Sequence, residues 1–171
     1  SPVGFGTVTV NDALTVETAG ALSFTEMSAG SISAIGATIE GNVLRSAQAI
    51  DVRGASITLG AVDAGGTLTA DATDRLAIDV VSATGGGQLT SAGAATFDTI
   101  SAGGPLAIDA GGTLSFGEIP GTSIAANGVT ITGDSLRATD TIDLGGTTVT
   151  LGLAEAGAGL TINAAEALLK A

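Results

Sequence analysis

Asp71, Asp74 and Arg75 form the chain's nearest approach to an acid and base cluster. Carboxylates held beside an arginine can abstract or deliver a proton, as the enzymes that degrade pectin-like sugars do. The same three places 92 residues further on hold asparagine, glutamate and alanine, so the cluster occurs once. We interpret it as exposed charge on a solvated surface and predict that the chain is not an enzyme.

The composition removes several other kinds of site. The 171 residues include no Cys and no His, which excludes thiolate metal sites, disulfides and triads that need histidine. Calcium sites of the β-roll type need a GGxGxD spacing, whereas the sequences here read GGQLTS and GGTLTA. We therefore predict no metal and no cofactor.

The charge balance also limits the partners. Five Lys and Arg stand against 17 Asp and Glu, for a net charge of −12. This sign is wrong for following a phosphate backbone, so nucleic acid is not an expected partner. The uncharged stretch from Val81 to Phe97 is too rich in Gly, Ser and Thr to cross a bilayer as a helix, and we predict no membrane insertion.

The chain contains an internal duplication. Residues 1–79 align with residues 93–171 without a gap, and 29 of the 79 pairs are identical. Chance matching at this composition would give roughly 9. The duplication indicates one repetitive domain over residues 1–171, built from units that stack on each other.

A shorter period runs inside each copy, marked by aliphatic side chains at nearly constant intervals. Seven of the eight intervals are 17 or 18, and the eighth is 21. The long interval contains Gly85–Gly87, where we expect extra residues to form a surface loop. The predicted core ladder, one residue from each of nine coils, comprises Leu14, Ile32, Ile50, Leu68, Leu89, Leu106, Ile124, Ile142 and Leu160.

The residues that follow each marker alternate between polar and apolar or small, which is the period of a half-buried strand. The density of Gly, Thr, Val and Ile is unsuited to helices. A coil of about 18 residues can hold about three short strands, and it must stack on its neighbours to bury its inner face. The predicted fold is all-β, a single-stranded parallel β-helix, or β-solenoid, of about nine coils.

Two local expectations follow from this stacking. We expect the corner pairs Gly65-Gly66, Gly103-Gly104, Gly111-Gly112 and Gly145-Gly146 to supply positive φ angles. We also expect two charged pairs, each separated by one coil of sequence, to lie on adjacent rungs and to support the register without forming a site. These pairs are Arg45 with Asp63 and Arg137 with Glu155.

Four stretches, LTVETAGALSF, LTADATDRLAI, LAIDAGGTLSF and LTINAAEALLK, resemble the coils of filamentous-haemagglutinin-like proteins. This resemblance covers nearly the whole chain. It implies a right-handed β-helix that is secreted by Gram-negative bacteria through a two-partner route and is extracellular or located at the cell surface. A left-handed hexapeptide helix is the alternative, although its series of aliphatic residues is broken at Gly20, Glu26, Thr38, Ser56 and Asp74.

The expected function is that of a structural shaft segment of a surface adhesin or extracellular filament. We expect the chain to associate with itself end to end, or to continue a longer solenoid, and host-surface or matrix glycans are further candidate partners. Alternative functions are a module that binds carbohydrate or degrades polyuronides and an ice-binding solenoid. The last alternative rests on Thr-x-Thr pairs, of which those at 130/132 and 148/150 are one coil apart.

Overall fold

The computed structural model describes residues 1–170, and these form fifteen β-strands and no helix. The strands are β1 (Val3–Thr9), β2 (Ala13–Glu17), β3 (Ala21–Ala29), β4 (Ser31–Ile35), β5 (Thr38–Ser46), β6 (Ile50–Ala64), β7 (Leu68–Ala83), β8 (Gly87–Ser91), β9 (Ala95–Ala102), β10 (Leu106–Ala110), β11 (Thr113–Gly121), β12 (Ile124–Asn127), β13 (Thr130–Ala138), β14 (Thr141–Ala156) and β15 (Gly159–Leu169). The longer strands run around a corner, because they pair with neighbours on two or three faces.

The strands pair in parallel and wind into a β-solenoid of about nine turns, as the sequence predicts. Each turn crosses three faces. In the first full turn, face A comprises residues 13–17, face B residues 21–24 and face C residues 26–29. Later turns repeat this order, so each face is a parallel sheet whose strands run across the long axis.

Each face turns two side chains per coil into a shared core. In the first full turn these are Leu14 and Val16 from face A, Leu22 and Phe24 from face B, and Met27 and Ala29 from face C. The first inward residues of successive faces are eight, five and five residues apart, counted from Leu14 to Leu22, Met27 and then Ile32 of the next turn. A hexapeptide helix would repeat every six residues, so this spacing does not fit the hexapeptide alternative.

The predicted core ladder is buried in the middle of the rod and open at its ends. Ile32, Ile50, Leu68, Leu89, Leu106, Ile124 and Ile142 are each no more than 2% exposed. Leu14, in the first full turn, is half-buried, and Leu160, in the last, is 41% exposed. Burial of such a side chain is worth about 1.5–3 kcal/mol, so the stacked interior carries most of the stability.

The placement of Leu89 in this ladder is wrong by one column. Leu68 pairs with Gly87, and Gly87 pairs with Leu106, so the ladder passes through a glycine in this turn. Leu89 lies in the second inward column of face A, between Ala70 and Ile108. The long interval and the short one that follows it are therefore two equal intervals in the structure.

The loop expected at Gly85–Gly87 is also corrected. Gly54 in β6 pairs with Ala72 in β7, but Ser56 pairs with Arg75, so β7 has gained one residue relative to β6 between these two pairs. The insertion therefore lies at the corner between faces A and B. Residues 83–86 form a tight turn, in which Gly86 N–H donates to Ala83 O at 3.3 Å, and Gly87 begins β8.

The corner glycines do not serve the role that the sequence suggested. Among residues 1–170, Gly86 alone has a positive φ, at 97°. At Gly146 an added Cβ would lie 2.6 Å from Gly128 O, in the rung below. Glycine is required at such corners because the backbones of successive rungs approach too closely for a side chain.

The duplication corresponds to five turns of the solenoid. Leu14 and its counterpart Leu106 occupy the same face A column, with Ile32, Ile50, Leu68 and Gly87 between them. The two halves of the duplication differ in their last turn. Leu76 is fully buried, whereas its counterpart Leu168 points outward and is 55% exposed.

Candidate functional site

The structure separates the three residues of the candidate acid and base cluster. Asp71 lies on face A, directly opposite Arg53 of the preceding rung. Asp74 and Arg75 follow the corner, and Arg75 pairs with Ser56 on face B. All three side chains are exposed. The arrangement is that of separate surface charges on two faces.

Three ion pairs lie on the outer surface of the described chain. Arg53 donates to Asp51, with Nε to Oδ1 and Nη2 to Oδ2 both at 3.0 Å, a bidentate contact between alternate residues of one strand. Arg137 Nε lies 3.3 Å from Glu155 Oε2 on the next rung, whereas Arg45 contacts Glu26 on the preceding rung at 3.9 Å. Exposed pairs of this kind contribute about 0–1 kcal/mol each. The two pairs that join adjacent rungs, Arg137 with Glu155 and Arg45 with Glu26, support the register, whereas the pair of Arg53 with Asp51 stays within one strand.

Face B carries an array of hydroxyl groups, which we call the hydroxyl patch. It has two columns over three rungs: Thr113, Thr130 and Thr148 in one, and Ser115, Thr132 and Thr150 in the other. Each member is exposed or intermediate in burial, and the strands hold the rungs about 4.8 Å apart. The sequence reasoning missed the lowest rung because the step from Thr113 to Thr130 is one residue shorter than the step from Thr130 to Thr148.

A shallow depression lies on face A in the C-terminal half of the rod. It measures about 390 Å³, and the small side chains of Ala107 and Ala125 are part of its lining. Gln88 and Asp143 flank these alanines in the same outward column. The depression therefore offers an amide and a carboxylate on either side of two small apolar side chains.

The two ends of the rod expose the inward columns of the core. At the N-terminal end Phe5 is 37% exposed, and Val3, Val8 and Leu14 are partly buried. At the C-terminal end Leu160 is 41% and Leu169 48% exposed. Each end is thus an apolar surface edged by the unpaired backbone groups of a parallel rung. The sequence signal for these surfaces is that the aliphatic periodicity continues into the first and last turns.

Residues 1–170 show neither a metal-binding cluster nor a membrane-spanning helix. No group of three or more Asp and Glu side chains is close enough together to hold a metal ion within that range. In the same part of the chain there is no helix of the length and hydropathy needed to span a bilayer.

Comparison of the chain with models of known protein families, with curated protein sequences and with solved structures finds no significant match.

Proposed function

We propose that the chain is a structural shaft segment of a secreted bacterial surface adhesin or extracellular filament. The observation that carries this proposal is the unbroken run of apolar columns through the rod, in which one buried rung follows another from Leu22 to Leu151. Nine rungs at a spacing of about 4.8 Å span roughly 43 Å. A rod of fixed length can hold another domain away from a surface without any chemistry of its own.

The sides of the rod support a structural role as well. Their charges are dispersed, their ion pairs are exposed, and the depression on face A is shallow. The extracellular setting comes from the resemblance of the LTVETAGALSF type of coil to filamentous-haemagglutinin-like repeats. In that setting the shaft carries a binding tip, and its own faces need no ligand.

Two measurements test the shaft. Small-angle scattering from a dilute solution should give a rod whose length is about 43 Å, and pulling on the two ends should show rupture at high force in steps of whole turns. A compact or disordered particle would contradict the proposal. The variant Ile50→Asp serves as the control, because a charge placed in the ladder should remove both signals.

The carbohydrate alternative is tested on the same protein. Incubation with pectin, alginate and other polyuronides should produce no new reducing ends or unsaturated products, since Asp71 and Arg75 lie on different faces. Turnover that depends on Asp71 would overturn the structural assignment in favour of the enzyme.

The hydroxyl patch favours a second candidate function, the ordering of water against ice. Its hydroxyl groups repeat at fixed spacing on one face, and a regular array of this kind is the arrangement such binding requires. Thermal hysteresis measured on the intact chain, and its loss in Thr132→Lys, would support this function. Thr58→Lys is the matched control because Thr58 is exposed on the same face but lies between Glu40 and Ala77. Absence of hysteresis in the intact chain would exclude it.

A further inference from the structure

The two ends of the rod match each other column by column. If the N-terminal end of one copy were placed on the C-terminal end of another, Leu14 and Val16 would meet Leu160 and Ile162 on face A. On face C, Val8 would meet Ala154. Every one of these contacts would be apolar, as nearly all inward contacts are inside the chain, where Ser46 and Ser91 are the buried polar side chains.

The three faces do not have the same number of rungs, however. On faces A and C the inward columns have nine members each, running from Leu14 to Leu160 and from Val8 to Ala154. The corresponding column on face B has ten members: Val3, Leu22, Ile39, Ile57, Leu76, Ala95, Leu114, Ile131, Val149 and Ala167. Two copies that meet without a gap on faces A and C would therefore place two strands in one position on face B.

The C-terminal strand is the more weakly placed of these two competitors. In the first half of the duplication, the corner between faces A and B is eight residues long, and it turns Leu76 into the core. At the C-terminal end the same corner is one residue shorter, so that Leu168, the counterpart of Leu76, faces solvent. The N-terminal strand keeps the register of its counterpart, since Val3 pairs with Leu22 as Ala95 pairs with Leu114. The strand that leaves is then residues 166–170.

We propose that the C-terminal end binds the N-terminal end of a second copy of this chain, and that the first strand of the incoming copy replaces residues 166–170 on face B. This inference rests on the rod proposed above and adds the partner and the register. Association of the intact chain is weak because the C-terminal strand must first leave Val149 and Leu151.

The test uses three truncations of the intact chain and sedimentation velocity over a wide range of concentration. Removal of residues 166–171 takes away one competitor, and removal of residues 1–6 takes away the other. Either truncation should tighten association by on the order of tenfold or more, which corresponds to about 1.4 kcal/mol or more. The double truncation leaves a missing strand on face B and should associate more weakly than either single truncation.

Point variants keep the test valid if a truncated end does not fold. Leu160→Asp places a charge in the middle of the C-terminal end and should abolish association. Val129→Asp is the matched control, since Val129 is 54% exposed on the side of the rod and should associate as the intact chain does. Thermal unfolding by circular dichroism checks that each variant remains folded.

Each remaining outcome decides against the proposal. It is overturned if the intact chain and both single truncations are monomers of 16.2 kDa or less at every concentration, or if the single truncations associate more weakly than the intact chain. Equal loss in Val129→Asp and Leu160→Asp would also overturn it, since contact would then involve the sides. A monomer that still scatters as a rod would leave the shaft function standing while this inference fails.

Discussion

The four phenylalanines of the chain all lie in one inward column of face B. Phe5 pairs with Phe24 and Phe97 with Phe116, and each pair is followed by a glycine on the next rung. A Cβ added at Gly133 would overlap the ring of Phe116. The narrow aliphatic core thus accommodates these aromatic rings where a glycine on the next rung leaves space for them.

Gly133→Ala should therefore destabilise the protein. The methyl group has to displace a buried ring, and overpacking of a tight core costs about 1–3 kcal/mol. The measurement is the free energy of unfolding from urea titration. Gly6→Ala is the control because no atom lies within 4 Å of the added Cβ, and it should change little.

A second variant separates overpacking from any effect on the backbone. In Phe116→Leu with Gly133→Ala the smaller side chain makes room for the methyl, so part of the loss in Gly133→Ala should be recovered. If the double variant is as unstable as the sum of the single ones, the ring is not the cause.

The contacts of a single side chain were predictable where it has one suitable partner on an adjacent rung. Arg137 and Glu155 are one coil apart in the sequence and do form an ion pair. Arg45 and Asp63 also lie opposite each other, but the arginine contacts Glu26 instead. Every residue in a solenoid has a neighbour above and one below, and a periodic sequence does not say which of them a long side chain contacts.

At the scale of the strands, the three corners differ in how much length they tolerate. The distance from the first inward residue of face A to that of face B is eight residues in the turn that begins at Leu14 and seven in the turn at Ile50. From face B to face C it is five residues in both turns, from Leu22 to Met27 and from Ile57 to Val62. The corner from face C to face A also varies, from five residues between Met27 and Ile32 to six between Val62 and Leu68. The first and third corners therefore accept changes in length, whereas the second keeps a constant length that fixes the alternation of the strand.

Two single deletions test this difference. Deletion of Thr73 shortens the tolerant corner to the length that it has in the turn at Ile50, and should cost about 1 kcal/mol or less. Deletion of Asp79 shifts face C by one residue, which turns Val81 outward and Ser82 inward. A shift of this kind exchanges the two sides of a strand, so we expect a loss of several kcal/mol.

Both deleted residues are exposed, so the comparison is matched for burial. Thermal unfolding followed by circular dichroism gives the order of stability. Equal losses for the two deletions would show that the corners do not differ.

The strands themselves were predictable from alternation, but their register was predictable only in part. The sequence favours Leu89 for the ladder because it is aliphatic, whereas the true member of that column is Gly87, two residues earlier. Positions two residues apart on a strand face the same side, so both fit an inward pattern. A glycine carries no hydrophobic signal, and only its hydrogen-bonded neighbours reveal its column.

For the whole molecule, the relevant balance is between stacking along the axis and charge on the surface. The same repetition that continues the apolar columns also places like residues above each other on the outside. The chain carries 17 Asp and Glu against five Lys and Arg, and in one outward column two carboxylates become neighbours. Repetition therefore allows a longer rod, but it limits how many carboxylates each outward column can hold.

Asp79 and Asp98 show this cost most directly. Their neighbours on both sides are paired, Ile78 with Phe97 and Val80 with Thr99, so the two carboxylates lie opposite each other on adjacent rungs. Like charges placed opposite each other destabilise a sheet by about 0.2–1 kcal/mol. Asp79→Asn should raise the free energy of unfolding by this amount at low salt. The gain should shrink as salt shortens the screening length from about 30 Å at 0.01 M to about 10 Å at 0.1 M.

Asp109→Asn provides the matched control for this prediction. Asp109 is exposed and lies between Thr90 and Asn127, so it has no carboxylate on either adjacent rung. Its replacement should leave stability nearly unchanged at both salt concentrations. Urea titrations of the two variants and the intact chain at low and high salt measure the difference. If both variants gain equally, the repulsion arises from net charge, and the column that joins Asp79 to Asp98 is not its source.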